Sequence, residues 1–254
     1  MNTIQILGVQ IGCTNLTLAC ETIGGWVREK AKTYVCVAPV STIVDCQRNE
    51  NYKNIINRAG MVTPDGMPVV WLGKFKGSKV IQRTYGPDLM LALCEWGKDK
   101  GLKHFFYGGG EEVISILKNK LHEKFPGIKI VGTYSPPQMA LDDIESPEVV
   151  AQINESQSDV IWVGLGSPKQ DYWMHQHREK LQAPVLIGVG AAFDFLSGKK
   201  AQAPKWIQRS GLEWLFRLCC EPRRLWRRYL IGNSLFLYWL LKNALKAKFQ
   251  KNVA

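Results

Sequence analysis

The first two hundred residues alternate between short apolar runs and amphipathic segments. The apolar runs predict strands at residues 34–38, 61–63, 103–107, 129–133, 160–165 and 184–189. The amphipathic segments predict helices at residues 42–58, 87–100, 111–124, 147–156 and 169–181. A strand buried on both faces reads as a nearly continuous apolar run, and here most of the runs are followed by a helix. The pattern therefore predicts an α/β fold, in which a mostly parallel sheet carries helices on both faces.

A change of character near residues 198–204 divides the chain. Strand-type alternation ends there, so we expect an α/β core over residues 1–198 and a helical appendage over residues 199–254. Residues 205–254 contain eleven basic and two acidic residues, and they carry +9 of the chain's formal charge of +11. Aromatic residues are interleaved with these cations. Such a segment favours attachment to an anionic surface.

The appendage is predicted to lie on a membrane rather than to cross one. Its most apolar stretch, residues 229–241, is interrupted by Gly232, Asn233 and Ser234, whereas spanning a bilayer takes roughly 20 apolar residues. Aromatic and apolar residues recur at helical spacing, as an interfacial helix requires; these are Trp214, Leu218, Phe236, Trp239 and Leu240. Nucleic acid is the competing partner, because cations interleaved with aromatics also bind single strands.

The termini and cysteines indicate a cytoplasmic protein. The first five residues lack a basic region followed by an apolar run, so no signal peptide is expected. The seven cysteines are odd in number and form no CxxC pair, which favours reduced thiols over a disulfide framework or a zinc site.

Glycine-rich loops follow three predicted strands, at residues 108–110, 164–170 and 188–192. Ligands of such folds lie at the carboxyl ends of the strands, where glycine admits close approach and a helix N-terminus attracts phosphate. Gly109, Lys169 and Gln170 are therefore candidates for binding a nucleotide or phosphate. No complete GxGxxG fingerprint occurs, which disfavours an NAD-dependent oxidoreductase, and the glycines alone are also compatible with simple turns.

Asp65 is the candidate general base. It directly follows a predicted strand, between Pro64 and Gly66. A carboxylate there could take a proton at the active end of the sheet, and it could equally be a turn or helix N-cap residue. Arg83 is either a surface cation or a bidentate ligand of a diphosphate. Asp194 is either a structural acid or a contact for a nucleotide.

A metal site is not expected. The four histidines show no ligand spacing, and no DxD motif provides paired carboxylates. A diphosphate leaving group would then need arginine, lysine or a helix N-terminus for stabilisation.

Several strings together resemble the WecG/TagA/CpsF glycosyltransferases of family 26. They are residues 62–71 (VTPDGMPVVW), 85–90 (YGPDLM), 164–170 (GLGSPKQ), 188–194 (GVGAAFD), 211–217 (GLEWLFR) and 221–224 (EPRR). They occur in order over nearly the whole chain. The resemblance implies a Rossmann-like core with a C-terminal membrane-binding appendage, a GT-E-like arrangement.

The resemblance also implies an activity and its residues. Members transfer a sugar with inversion, and without a metal, from a UDP-sugar to an undecaprenyl-diphosphate-linked sugar at the cytoplasmic membrane face, for cell-surface polymers. Asp65 would be the base. The substrate-binding residues would be Arg83, Ser41, Thr42, Gly109, Tyr134, Lys169, Gln170, Asp194, Arg217, Arg223, Arg224 and Arg227.

The identity of the sugar stays open at this point. Many relatives carry Thr-Pro-Asn where this chain has Ala38-Pro39-Val40, so Ser41 and Thr42 could take over the polar contacts. An N-acetylmannosamine-type sugar, glucose or a related hexose is expected. The alternative function is a nucleotide-binding module without catalysis, whose basic tail binds nucleic acid or a membrane. The sequence leaves a homo-oligomer open.

Overall fold

The structure is a computed structural model that describes residues 1–136 and 147–251, with side chains described as far as residue 246. Its strands are β1 Thr3–Ile6, β2 Val9–Gly12, β3 Thr33–Ala38, β4 Met61–Pro64, β5 Lys103–Gly108, β6 Lys129–Tyr134, β7 Val160–Gly164 and β8 Val185–Gly188. Its helices are α1 Leu16–Glu29, α2 Val40–Arg48, α3 Glu50–Asn57, α4 Met67–Phe75, α5 Gly86–Lys98, α6 Glu111–Lys124, α7 Pro147–Glu155, α8 Lys169–His177, α9 Ala192–Ser197, α10 Lys205–Ser210, α11 Glu213–Cys220, α12 Pro222–Trp226 and α13 Gly232–Lys251, with a π-helical turn at Arg227–Ile231.

Six strands form one parallel sheet in the order β4-β3-β8-β7-β5-β6. All six predicted strands are confirmed, and each agrees with the observed strand to within a residue at either end. β1 and β2 form a separate antiparallel hairpin. The predicted α/β fold is therefore confirmed, and the parallel arrangement brings the carboxyl ends of all six strands to one edge.

Two apolar layers cover the sheet. One contains Cys36 of β3 and packs against α2, α3 and α8, and the other contains Val35 and packs against α1, α5, α6 and α9. Adjacent residues of β3 thus point to opposite faces, as the pleat requires. The predicted helix at 42–58 is two helices, because Asn49 ends α2 and its side chain accepts a bond from the Tyr52 N–H at 3.0 Å to begin α3.

Beyond α9, all the regular secondary structure among the residues described is helical. α13 lies against α2, and Phe236 is buried in the same apolar layer as Cys36, with Trp239 and Leu240 packed beside it. The interpretation of Phe236, Trp239 and Leu240 as a lipid-facing stripe was therefore wrong, because their helical spacing reflects docking on the core. The solvent-facing apolar residues of α13 are instead Leu237, Tyr238, Leu241 and Leu245. No helix in the described ranges is long and apolar enough to span a membrane.

Candidate active site

Asp65 lies where the chain leaves β4 at the carboxyl edge of the sheet. Its backbone N–H bonds to the carbonyl of Ala38, the last residue of β3, at 3.3 Å. Gly66 then turns the chain into α4 with a φ of +79°, a conformation that side-chain-bearing residues rarely adopt. Gly66 is itself the N-cap of α4, and no side chain caps the helix. Asp65 is thus not the N-cap residue of α4, and its carboxylate accepts a hydrogen bond from the Gly66 N–H.

Arg83 lies beside Asp65 and is held in place from several sides. Its Nε is 3.7 Å from Asp65 Oδ1, and its guanidinium stacks over the Tyr85 ring at 4.0 Å. Its Nη1 donates to Gln208 Oε1 at 2.8 Å, and its Nη2 pairs with the Glu213 carboxylate at 2.5 Å. Since Gln208 and Glu213 belong to α10 and α11, the position of Arg83 depends on the appendage. Arg83 is therefore not a surface cation.

A cavity of about 290 Å³ opens between the ends of β3 and β4 and the appendage. The core contributes Pro39, Val40, Ser41, Asp65, Gly66, Met67 and Pro68. The appendage contributes Gln208, Gly211, Glu213, Trp214, Arg217, Arg228, Tyr229, Asn233, Phe236 and Leu237. Arg228 joins the two sides, because its Nε and Nη2 donate to Ser41 Oγ at 2.9 and 2.7 Å.

The electrostatics of this cavity suit an anionic ligand. Burial raises the pKa of the Asp65 carboxyl, and the Arg83 and Arg217 guanidiniums act to lower it. Burial also raises the pKa of Glu213, and the neighbouring Asp65 charge raises it further. Arg217 and Arg228 line the cavity together with the carboxyls of Asp65 and Glu213, and Arg83 lies at its wall. Guanidiniums bind a diphosphate in bidentate fashion, and the buried carboxylate of Asp65 is placed to accept a proton.

Comparison with known proteins decides the family. The model of the Glycosyl transferase WecG/TagA/CpsF family matches residues 4–250. The chain belongs to this family. It is therefore a glycosyltransferase, as the resemblance of its motifs implied.

Three similar proteins share one name, N-acetylglucosaminyldiphosphoundecaprenol N-acetyl-beta-D-mannosaminyltransferase. The one from Bacillus spizizenii is 34% identical over 186 residues, which are 73% of this chain and 70% of the relative. The one from Bacillus subtilis strain 168 is 31% identical over 183 residues, which are 72% and 69% of the two chains. The one from Staphylococcus aureus strain NCTC 8325 is 25% identical over 250 residues, which are 98% and 96%.

Some residues predicted to bind substrate in this glycosyltransferase lie in the cavity. Ser41, Asp65 and Arg217 line it, and Arg83 contacts Asp65 and Glu213 at its wall. Thr42 follows Ser41 in sequence and is fully buried in α2. Its Oγ1 has no hydrogen-bond partner among the described residues.

Other predicted residues lie along the same sheet edge but do not line this cavity. Gln170 is buried and holds two glycine loops together, because its Oε1 accepts from the Gly190 N–H at 2.8 Å and its Nε2 donates to Ser167 Oγ at 3.2 Å. Lys169 is exposed at the first position of α8. Two further predicted substrate-binding residues also lie outside the cavity. They are Gly109, with a φ of +71°, and Tyr134, whose ring stacks on the Tyr107 ring with 5.6 Å between the ring centroids.

A second hollow, of about 230 Å³, lies beside the first. Its lining comprises Phe195, Lys200, Ala201, Phe216, Arg217, Cys220 and Glu221, so Arg217 borders both spaces. Asp194 reaches this second hollow indirectly, through an ion pair of 2.9 Å with Lys200. Asp194 is thus near the site but engaged by a cation.

The structure does not bring Arg223, Arg224 and Arg227 into either hollow. All three are exposed; Arg224 pairs with Glu221, and Arg227 lies over the Trp226 ring at 5.2 Å. Their role toward diphosphate stays a prediction.

Sequence reasoning missed Arg228, Glu213, Gln208 and Tyr229. The run of arginines at 223–228 was the available signal, but the break at Glu221 and the following π-helical turn decide which arginine faces inward.

The described part of the chain contains no group of three or more His, Cys, Asp or Glu side chains placed to hold a metal ion. The cavity itself offers the carboxyls of Asp65 and Glu213, the guanidiniums of Arg217 and Arg228, and a partly apolar wall.

Proposed function

We propose that this glycosyltransferase moves a sugar, with inversion, from a UDP-sugar to an undecaprenyl-diphosphate-linked sugar during assembly of a cell-surface polymer. One observation supports this most strongly. The core carboxylate Asp65 and the appendage cations Arg217 and Arg228 line one cavity. An inverting transfer needs this pair of functions, a base for the acceptor and positive charge for the departing diphosphate.

The proposed reaction is a single displacement. Asp65 takes the proton of the acceptor hydroxyl as that oxygen attacks the anomeric carbon, and the bond to UDP breaks on the opposite side of the sugar ring. Arg83, Arg217 and Arg228 stabilise the charge on the leaving diphosphate. The proton ends on Asp65 and the negative charge leaves with UDP.

The relatives' names favour particular substrates. Since they are N-acetylmannosaminyltransferases acting on N-acetylglucosaminyldiphosphoundecaprenol, we propose UDP-N-acetylmannosamine as the first donor to test. N-acetylglucosaminyl diphospholipid is the matching acceptor. Glucose and related hexoses follow, because Ala38 and Val40 provide no polar side chain beside Ser41.

We place the enzyme peripherally on the cytoplasmic face of the plasma membrane. The outer side of α13 exposes Leu237, Tyr238, Leu241 and Leu245, and it carries Lys242 and Lys246. An apolar strip next to cations binds anionic lipid through both burial and charge. This arrangement would present the cavity to an acceptor anchored in the bilayer.

The test is a donor screen with a short-chain, water-soluble diphospholipid acceptor. Several UDP-sugars are incubated with and without EDTA, and released UDP is measured. We expect release from one donor that requires the acceptor and survives EDTA. No acceptor-dependent release from any donor would contradict the proposal. If the full chain instead bound single-stranded RNA more tightly than anionic vesicles at the same salt, nucleic acid would replace the membrane as the proposed partner of the appendage.

A further inference from the structure

Helix α4 of the core leaves large apolar side chains in solvent. Trp71 is 49% exposed and Phe75 is 88% exposed. They are four residues apart, so they lie on one face of the helix. The opposite face is buried through Val69, Val70 and Gly73. α4 is thus apolar on both faces, and its outer face is only partly covered by the described residues.

The first helix of the appendage lies next to this face. The Trp71 ring is so close to Gly211, at the end of α10, that a Cβ there would be 2.6 Å from a ring carbon. On α10 itself, Trp206 is 69% exposed. We call Trp71, Phe75 and Trp206 the α4–α10 patch. Its residues come from two helices that contact each other, one in the core and one in the appendage.

The surroundings of the α4–α10 patch are basic. Residues 66–87 and residues 195–212 contain no acidic residue. They contribute five exposed cations close to the patch in sequence, which are Lys74, Lys76, Lys79, Lys205 and Arg209. None of these five forms an ion pair with another residue that the structure describes. Exposed aromatics with unpaired cations close to them in sequence match the chemistry of an anionic lipid surface, where rings lie at headgroup level.

The α4–α10 patch is also next to the active-site cavity. α4 begins with Met67 and Pro68, which line that cavity. Gly211 lines the cavity as well, and it is the residue that contacts Trp71. A membrane or other surface that binds the α4–α10 patch would therefore lie close to the mouth of the cavity.

We propose that the α4–α10 patch inserts into an anionic phospholipid bilayer, so that the catalytic core, and not the appendage alone, docks on the membrane. This inference rests on the proposed function, since it explains how a lipid-linked acceptor reaches Asp65. Two contacts, the α4–α10 patch and the outer side of α13, fix the orientation of the cavity toward the bilayer. A single helix would leave the core free to rotate about it.

The experiment measures co-sedimentation of the full chain with phosphatidylcholine vesicles that contain phosphatidylglycerol. Phe75→Ser removes an apolar ring that is almost wholly exposed in the unbound protein, so we expect the variant to fold like the wild type. We expect its apparent affinity for vesicles to fall about tenfold. Lys76→Glu with Lys79→Glu should weaken binding at least as much and flatten its salt dependence, since each cation adds to the attraction.

Matched controls come from α6. Ile116→Ser changes an exposed apolar residue, and Lys118→Glu reverses an exposed cation without an ion pair among the described residues; both should bind vesicles like the wild type. Phe75→Ser should keep full turnover with the short-chain acceptor and lose turnover with a long-chain acceptor embedded in vesicles. Unchanged vesicle binding by Phe75→Ser would overturn the inference.

A second copy of the chain is the competing occupant. If the wild type dimerised and Phe75→Ser were monomeric with unchanged vesicle binding, the inference would be overturned. Failure of the proposed function looks different. In that case the wild type releases no UDP with the short-chain acceptor, while the vesicle measurement still decides whether the α4–α10 patch meets lipid.

Discussion

At the scale of single residues, the chemistry depends on how Asp65 is kept ready to accept a proton. Burial favours the protonated acid, and the guanidiniums of Arg83 and Arg217 oppose it. Arg83 is in turn held by Glu213 and Gln208, which the appendage supplies. The base is therefore tuned by residues more than a hundred positions away in sequence.

The pH profile tests this tuning. Arg83→Gln removes a charge that lowers the pKa of Asp65, so the pKa rises and the acid limb of kcat/KM moves to higher pH. We also expect kcat at the optimum to fall about 100-fold, because a stabiliser of the leaving group is lost. Asp88→Asn is the control, since Asp88 lies 3.7 Å from Arg83 but is 45% exposed. An acid limb that stays in place in Arg83→Gln would contradict the assignment.

The arginines of the appendage give a second test. Arg228 lines the cavity and donates to Ser41, so Arg228→Ala should lower kcat/KM about 100-fold with a short-chain acceptor. Arg223 is exposed outside the cavity, and Arg223→Ala should stay within about threefold of the wild type. Equal losses in the two variants would restore the sequence-based role of Arg223.

The sequence was sufficient to identify some residues of the site and not others. Asp65 and Arg83 were identifiable because each sits beside turn residues after a strand or before a helix. Arg228 and Glu213 were not, because their direction depends on the helix break at Glu221 and on tertiary docking. Gln170 was identifiable by motif, but its buried bond to Gly190 also gives it a structural function.

At the scale of elements, the strands were predictable and several helices were not. Each strand of the parallel sheet is an apolar run, and its length fixes its ends. α4 was missed because Pro68 and Gly73 are residues that disfavour a helix, and because a helix that is apolar on both sides has no amphipathic pattern. The split between α2 and α3 was missed because one side chain, Asn49, caps the second helix within an otherwise continuous amphipathic pattern.

A buried carboxyl ties two of these elements together. The Tyr52 hydroxyl of α3 donates to Asp171 Oδ2 of α8 at 2.7 Å, and burial raises the pKa of Asp171 to about 6. Between the ordinary pKa of an aspartate and pH 6, Asp171 therefore keeps its proton in the folded state, whereas it has lost that proton in the unfolded state. Stability falls with rising pH across that window, and between pH 5 and pH 7.5 this group removes about 1 kcal/mol.

Urea unfolding of Asp171→Asn tests this contribution. The amide keeps an acceptor for Tyr52 but does not titrate, so the variant should lose about 1 kcal/mol less than the wild type between pH 5 and pH 7.5. Asp99→Asn, at the exposed end of α5, is the control and should follow the wild type. Parallel pH dependence in Asp171→Asn and the wild type would contradict the assignment.

At the scale of the molecule, the core and the appendage form one enzyme. Phe236 of α13 is buried in a core layer, and Arg83 of the core is bound by α10 and α11. The division at residues 198–204 was readable from composition and stays a prediction as a domain boundary. The docking was not readable, since a helical repeat of aromatics looks the same whether it faces lipid or protein.

The most direct measurement is transfer by full-length Asp65→Asn with the donor found in the screen. We expect the rate of UDP release at saturating acceptor to fall about 1,000-fold, while the Kd for UDP stays within about threefold, because only the proton acceptor is lost. Turnover near that of the wild type would contradict the claim that Asp65, beneath the arginines of the appendage, is the base of this glycosyltransferase.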